Sequence, residues 1–353
     1  MANIDWTNGK LNHELSVYMV DPCNHNVVLD KLEVDLEGNG ITWGYETATK
    51  VSAKISVTNW DDYIENSWIQ MIHTIAGTDY ERVMFTGFVW DEGAESKSGT
   101  LGATPSLMGA LKALELDRLT APIIIGEGAL SQDLAKTILD KSGQDYFINP
   151  NAGNYRYAET SVMDAGETRL KCMTDICDVA GYEMRVNGEG VIQVQKYIYP
   201  GYIVPSFVLD ADAENTVVLS SGLSRSTNKH QVAGRSIAVY KKDEEVLVGY
   251  ADVSSMHLAS PSRRGYTVAE VHELHDLVEP VSISQLQNMA KEYLSDDSTS
   301  FVEWNVQTMW LPLEEGDVVA FIPSGMDARI CVCKTVDADL HSWTLNLTLR
   351  EVA

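Results

Sequence analysis

Apolar and polar residues alternate at every second position over long stretches at both ends of this chain. Near the beginning, Val51, Ala53, Ile55 and Val57 alternate with serine, lysine and threonine. Because successive side chains of a strand point to opposite faces of its sheet, this spacing predicts a strand with one buried face. Two further strands, 67–75 and 82–90, are predicted to form a hairpin around a turn of glycine, threonine and aspartate. Residues 11–100 are therefore predicted to be β-structure.

The spacing of apolar residues changes to a helical one near residue 104. Leucines recur every three or four positions over 107–114, and further helices are predicted over 131–141 and 167–179. A hairpin follows, in which strands 182–186 and 191–197 flank the turn 187–190, Asn-Gly-Glu-Gly. This part of the chain is predicted to be a mixed α/β insert.

Alternation returns after residue 200 and continues to the end of the chain. Strands are predicted over 217–219, 236–240 and 245–250, a loop over 254–266, and a final strand pair over 329–336 and 343–352. Between them, Leu286, Met289, Ala290, Tyr293 and Leu294 recur at the spacing of one helix face, which predicts a helix near 284–294.

Together these patterns predict an α+β fold that is mainly β. It comprises two small β-barrel domains with a mixed α/β insert between them. The predicted boundaries are 1–100 for the first barrel, 101–202 for the insert and 203–353 for the second barrel, which carries the embedded helix near 284–294.

The charge of the chain excludes several classes of partner. Its 353 residues include 51 acidic and 26 basic side chains, which gives a net charge of −25. Stable binding to nucleic acid or to an anionic membrane needs lysine and arginine, so neither is expected. The sequence contains no apolar run of the roughly 18 residues that span a bilayer, and no signal peptide is visible at its start. Synthesis in the cytoplasm is expected.

Several motifs suggest chemistry, but each has a simpler interpretation. His272 and His275 flank Glu273 but are only three residues apart, whereas a zincin helix needs them four apart. The acid pairs 61–62 and 296–297 could supply carboxylates for glycoside hydrolysis, yet they are more typical of solvated turns in so acidic a chain. The run 262–265 with its two arginines is typical of a solvated loop, and Gly126-Glu127-Gly128 of a turn. No catalytic, cofactor or metal site is predicted.

The cysteines are expected to be free thiols. There are five of them, an odd number that argues against a disulfide framework. Cys172 and Cys177 lie on a predicted helix, whereas Cys331 and Cys333 lie on one face of a predicted strand. The close pairing with histidine partners that a zinc site needs is absent from the sequence.

Four stretches, taken in order, resemble the hub proteins of bacteriophage tail baseplates and tail tips, a family that includes the late-control-D-like hubs. The stretches are the strand Phe85-Thr86-Gly87-Phe88-Val89, the segment Gly102 to Leu114, the helix Leu134 to Gly143, and the tail end with Leu286 to Leu294, Gly316-Asp317-Val318-Val319 and Leu347-Thr348-Leu349-Arg350. The resemblance implies a homotrimeric ring that joins a sixfold tail tube to a threefold tip or spike. The chain lacks the C-terminal hydrolase extension of longer members, so no cell-wall cutting activity is implied.

The resemblance also implies partners and a location. The partners would be other tail proteins: a distal tail or tube-end ring, a tape measure protein, and a tip or spike protein. DNA would only pass through the lumen, no stable membrane insertion is expected, and the location would be the virion tail. The candidate subunit-interface residues are Trp60, Trp68, Trp90 and Trp304. Three alternatives remain open, namely a distal tail ring protein, a carbohydrate-binding tip module, and a tail-associated peptidoglycan hydrolase using Asp61 or Asp62.

Overall fold

Strands and helices together make up most of this chain. The computed structural model describes residues 4–7, 11–44, 49–58, 67–91, 94–97, 100–157, 160–219, 223–227, 232–242, 245–257, 259–274, 281–298 and 302–352. Strands account for 48% of the residues and helices for 16%, which confirms the mainly β class.

The strands, in chain order, are β1 His13–Asp21, β2 Asn24–Leu32, β3 Val34–Gly44, β4 Val51–Val57, β5 Trp68–Ile75, β6 Glu81–Asp91, β7 Ala94–Lys97, β8 Thr100–Ala103, β9 Ser106–Gly109, β10 Ile123–Ile125, β11 Tyr146–Ile148, β12 Ser161–Met163, β13 Tyr182–Val186, β14 Ile192–Lys196, β15 Phe207–Asp210, β16 Ser224–Thr227, β17 Arg235–Lys242, β18 Glu245–Asp252, β19 Ala269–Leu274, β20 Val302–Met309, β21 Val318–Ile322, β22 Arg329–Asp339 and β23 Thr344–Glu351. The helices are α1 Ala110–Leu116, α2 Ser131–Asp140, α3 Arg169–Ala180, α4 Pro261–Arg264 and α5 Ile283–Asp297, with a 3-10 turn at Pro200–Tyr202.

The strands from the two ends of the chain belong to one sheet. Its main path of hydrogen-bonded neighbours runs β16-β20-β23-β22-β3-β4-β9-β6-β5-β1-β2, and β15, β21, β7 and β8 branch from it. The two halves meet where β22 pairs antiparallel with β3, with Val336 opposite Trp43 and Ala338 opposite Ile41. Within the described residues the path is open, with β16 at one end and β2 at the other.

A single hydrophobic core lies along this sheet and contains residues from both halves. Ile55, Met71 and Phe85 from the first half lie in the same buried cluster as Phe321 and Leu347 from the second. Burying a side chain of this size contributes roughly 1.5–3 kcal/mol. Because the shared core is continuous across the β3–β22 pair, we conclude that the two β halves fold against each other.

The insert packs around a second core, which also includes Val20 and Trp68 of the first β half, and its hairpin makes a further contact with that half. Helices α1, α2 and α3 pack with β13 and β14 around buried leucine, isoleucine and methionine side chains. The turn of the β13–β14 hairpin contacts β6, where the Thr86 hydroxyl donates a hydrogen bond to the carbonyl of Gly188 at 2.9 Å. Gln70 donates in turn to the Thr86 oxygen at 3.3 Å. The insert is therefore fixed to the main sheet at a defined point.

Residues 235–297 form a third packing unit. Strand β17 lies between β18, which is antiparallel to it, and β19, which is parallel to it. Helix α5 covers one face of this sheet with Leu286, Ala290 and Leu294. At Gly249 the helix backbone approaches so closely that a Cβ atom would lie 2.4 Å from the Gln287 nitrogen. The predicted helix near 284–294 thus packs on β17 and β18.

Most predicted elements agree with these bounds, and the exceptions have identifiable causes. The helices predicted over 131–141, 167–179 and 284–294 are confirmed, as are the hairpin of strands 67–75 and 82–90 and the hairpin of strands 182–186 and 191–197. The helix predicted over 107–114 is wrong at its start, because Leu107 lies in β9 between Ala53 and Val89 and the helix begins at Ala110. The predicted loop 254–266 contains the short helix α4, and the predicted strand 217–219 makes an isolated bridge between Val218 and Thr308.

Candidate functional site

A loop near the end of the chain is the point where its three parts meet. We call residues 312–317 the junction loop. From the first β half, Arg82 donates to the Pro312 carbonyl at 2.7 Å and to Glu314 Oε1 at 2.5 Å. From the insert, Arg185 donates to the Glu315 carbonyl at 3.2 Å and forms an ion pair with Glu183 at 2.8 Å. Two arginines from distant parts of the chain therefore hold one loop of the second β half.

The junction loop concentrates carboxyl groups that are poorly solvated. Glu315 is only 2% exposed, and its Oε2 atom has no hydrogen-bond partner within the described residues. Burial raises its pKa to about 8, helped by the nearby Glu314 charge and opposed by Arg185. Burial likewise raises the pKa of Asp317 and lowers the pKa of the Lys50 ammonium. The net charge of the junction loop and its surroundings therefore depends on the protonation of Glu315, whose pKa lies near neutral pH.

We expect Glu315→Gln to stabilise the protein more at pH 7 than at pH 5.5. The folded pKa of Glu315 lies above its unfolded value, so the unfolded state ionises first and wild-type stability falls as the pH rises from about 4.5 towards 8. Between pH 5.5 and pH 7, the free energy of unfolding of the variant relative to that of wild type should rise by about 2 kcal/mol. Urea unfolding at both pH values measures it. Exposed Glu127→Gln is the control, and an equal difference at both pH values would contradict the prediction.

A cluster of rings forms a second link between the two β halves. His73 on β5 is fully buried, and its Nε2 atom lies 2.9 Å from Nδ1 of His13 on β1. Both imidazoles stack on Trp343, with centroids 4.5 and 4.9 Å away, and the edge of Trp310 meets His73 at 5.0 Å. We call His13, His73, Tyr80, Trp310 and Trp343 the aromatic seam. The sequence patterns gave no indication of it.

The candidate interface tryptophans have different environments. Trp68 is 8% exposed and stacks on His25 with centroids 4.5 Å apart. Trp304 is 4% exposed and donates through its indole nitrogen to Glu351 at 2.8 Å. Trp90 is 46% exposed, with the Lys112 ammonium 4.7 Å from the ring centroid. Trp60 lies outside the described residues. Of the three described tryptophans, Trp90 has the surface available for a neighbour.

The other residues considered for chemistry do not form a site in the described part of the chain. His272 stacks on Tyr293 of α5 with centroids 4.2 Å apart, whereas His275, Asp61 and Asp62 lie outside the described residues, as do the side chains of residues 296 and 297. No group of three or more potential metal ligands occurs among the residues described.

Two further sequence-based expectations can be compared with the described residues. No described helix has the length and apolar character needed to cross a membrane. Four cysteines are buried free thiols, Cys172, Cys177, Cys331 and Cys333, as predicted. Burial raises the pKa of the Cys177 and Cys331 thiols to about 12, which keeps them protonated and unreactive.

The fold described above is that of phage and prophage tail proteins. A tail protein from Neisseria meningitidis MC58 is 13% identical, with a TM-score of 0.70 over 96% of this chain and 97% of that one. The 43 kDa tail protein of prophage MuSo2 from Shewanella oneidensis is 12% identical, with a TM-score of 0.64 over 96% and 98%. At sequence identities this low, the structural similarity establishes the fold alone.

A component of a type VI secretion system also has a similar fold. The Escherichia coli protein c3393, a type VI secretion component described as similar to the T4 tail proteins gp27 and gp5, is 11% identical. Its TM-score is 0.53 over 98% of this chain and 76% of that one. No protein-family model and no curated protein sequence matches the chain. The resemblance to tail hub proteins noted in the sequence is thus confirmed at the level of the fold.

Proposed function

We propose that this protein forms a trimeric hub ring in the baseplate or tail tip of a phage, or of a phage-derived particle. The ring would join the sixfold tail tube to the threefold tip or spike and leave a channel through which DNA passes. The role is mechanical and requires no catalytic group. The observation that carries the proposal is the joining of two β halves into one sheet, in a fold shared with tail proteins.

Two β halves per chain fit the change of symmetry that such a ring must make. In the proposed arrangement, residues 1–100 and 203–353 are two β-barrel domains that occupy two equivalent positions in the ring. Three chains then present six positions to the tube and three identical copies of residues 101–202 to other components. The junction loop and the aromatic seam support this arrangement, because they hold the two halves in a fixed relation.

The open ends of the main sheet are suited to contact with neighbouring subunits. Strand β2 ends the described path, and its consecutive residues Val27, Val28 and Leu29 are each 44–52% exposed. An exposed apolar edge strand is normally covered or paired in a functional assembly. We propose that subunits contact each other through the ends of the sheet at β2 and β16, with Trp90 as a further contact residue.

The acidic composition fits a protein whose lumen conducts DNA. With a net charge of −25, the ring would present few cations to phosphate groups, and the passing strand would not be retained. The proposed neighbours are a distal tail or tube-end ring, the tape measure protein and the tip or spike protein. The protein would be made in the host cytoplasm and located in the virion tail.

The symmetry of the assembled particle tests this proposal. Electron cryomicroscopy of the purified tail, combined with mass measurement of the isolated ring, should show three copies of this chain around the tail axis. Six copies in a single ring would contradict the hub assignment and favour a distal tail ring protein. Absence of the chain from the tail would contradict both.

A further inference from the structure

The β17–β19 sheet has a second apolar face, opposite the one that α5 covers. Its residues alternate with those that face the helix, and the register places them in adjacent cross-strand rows, with Ile237 next to both Tyr250 and Val271. We call this surface the outer face. Its apolar residues are Ile237, Val239, Val246, Val248, Tyr250 and Val271.

The outer face does not have the composition of a surface that remains in water. Val246, Val248, Tyr250 and Val271 are 44–56% exposed, although each belongs to a regular strand. A sheet with one face on a helix core normally presents polar side chains on the other. Contiguous exposed apolar residues instead mark a surface that another molecule covers.

The charges at the rim of the outer face neutralise one another. At one end Arg235 forms an ion pair with Asp252 at 2.6 Å, and its guanidinium lies 4.7 Å from the Tyr250 ring centroid. At the other end Lys241 forms an ion pair with Glu273 at 2.5 Å. The outer face therefore carries no net charge, although the whole chain has a net charge of −25. Two copies of so acidic a protein repel each other over most of their surfaces. A contact made through a neutral apolar face reduces this electrostatic repulsion.

The size of the outer face also indicates the kind of partner. Two strands of eight residues and one of six cover at most roughly 14 Å by 26 Å. That is under half of the ~800 Å² per partner found in stable complexes. An independent partner held only here would bind weakly. A contact of this size is instead sufficient where the two molecules are also held together elsewhere, as neighbouring subunits of one ring are.

We infer that the outer face binds a second copy of this chain as an auxiliary subunit contact in the homo-oligomer. This inference rests on the proposed ring, and it assigns to residues 235–274 a role in holding the ring together. In a threefold ring each contact joins two different surfaces, so the outer face of one copy meets another part of the next.

Self-association of purified full-length variants tests the inference. Val248→Lys places an ammonium within the face, beside Val239 of the central strand, while making the chain less acidic, so weaker association could not come from greater overall repulsion. Sedimentation equilibrium should show an apparent dissociation constant at least 10-fold higher, which corresponds to about 1.4 kcal/mol. Met256→Lys, at an apolar position 77% exposed outside the face, is the matched control and should associate like wild type.

A second variant separates loss of contact from loss of folding. Val248→Thr keeps the branched shape and should weaken association by a smaller factor with an unchanged thermal midpoint. The inference is overturned if wild type stays monomeric at 100 µM, if Val248→Lys associates like wild type, or if Met256→Lys is weakened equally. Particle symmetry is a separate measurement, so a threefold ring with unaffected Val248→Lys would refute the outer-face contact alone. A sixfold ring weakened by Val248→Lys would refute the hub alone.

Discussion

Replacing Gly188 by alanine should push the β13–β14 hairpin away from the main sheet and lower the stability of the protein by about 3 kcal/mol. A Cβ atom at this position would lie 1.9 Å from the carbonyl oxygen of Val83 and 2.7 Å from its carbon. Both are backbone atoms of β6, whose neighbours β5 and β9 hold it in place. Because a strand inside a sheet cannot yield by an ångström, the hairpin itself must move away.

The displacement of the hairpin should have a local as well as a global signature. As the turn moves away from β6, the hydrogen bond from Thr86 to the Gly188 carbonyl is lost. Amide hydrogen exchange should then accelerate in β5 and β6 around Gln70 and Thr86 more than in the distant β20–β23 pair. A fall of the thermal midpoint by several degrees should accompany it.

Another glycine of the same insert provides the matched control for this substitution. Gly126 also lies in a turn, but a Cβ atom there would meet no atom within 4 Å, and its backbone is not in the left-handed region. Gly126→Ala should leave the thermal midpoint and the exchange pattern unchanged. If both variants behave like wild type, the hairpin contact at Val83 contributes nothing to the stability of the protein.

The local elements of this fold are predictable because their signals are local. Helix α3 has Thr168 as its N-cap, which accepts a hydrogen bond from the Lys171 amide, and ends at Gly181 in the left-handed conformation. The β13–β14 hairpin is indicated by its Asn-Gly-Glu-Gly turn alone. Such features need only neighbouring residues, so periodicity and turn chemistry are sufficient to find them.

The arrangement of those elements depends on contacts between distant residues, which no local pattern records. The pairing of β22 with β3 joins residues almost 300 positions apart, and alternation in each strand is the same whichever neighbour it takes. The helix α5 has a clear apolar face, but that face does not reveal that its partners are β17 and β18. For this reason the sequence could not predict that residues 235–297 pack as a separate unit.

The sites were harder to predict than the fold because they consist of isolated residues. Arg82 and Arg185 hold the junction loop from two different parts of the chain. A signal for them does exist in the sequence. Arginine is scarce in so acidic a chain, and a lone arginine within a predicted strand is a candidate for a partly buried ion pair. Tryptophans occur both in cores and at subunit interfaces, so sequence alone could not separate the buried Trp68 and Trp304 from the exposed Trp90.

The aromatic seam should make the protein sensitive to mild acid through His73. Burial is the main cause that lowers the pKa of this imidazole to about 3, and the charges of His13 and Arg82 lower it further. Tyr80, Trp310 and Trp343 surround the ring with groups that cannot neutralise a proton. An unfolded histidine takes up its proton near pH 6.5. Below that pH the unfolded state is therefore favoured, and stability is lost progressively as the pH falls towards 3.

Removal of the His73 imidazole should abolish this part of the pH dependence. At pH 4.5 the two pKa values of His73 imply a loss of about 3 kcal/mol in wild type that is absent at pH 7.5. We expect His73→Gln to cost stability at pH 7.5, where it disturbs the stacking on Trp343. Between pH 7.5 and pH 4.5, the free energy of unfolding of His73→Gln should rise relative to that of wild type by about 3 kcal/mol, because the variant lacks the proton linkage of His73. Urea unfolding at both pH values measures this difference. His341→Gln alters an exposed imidazole and should change neither value. Parallel pH profiles for wild type and His73→Gln would show that the seam carries no proton linkage, and the acid sensitivity would then have to reside in the carboxyl groups.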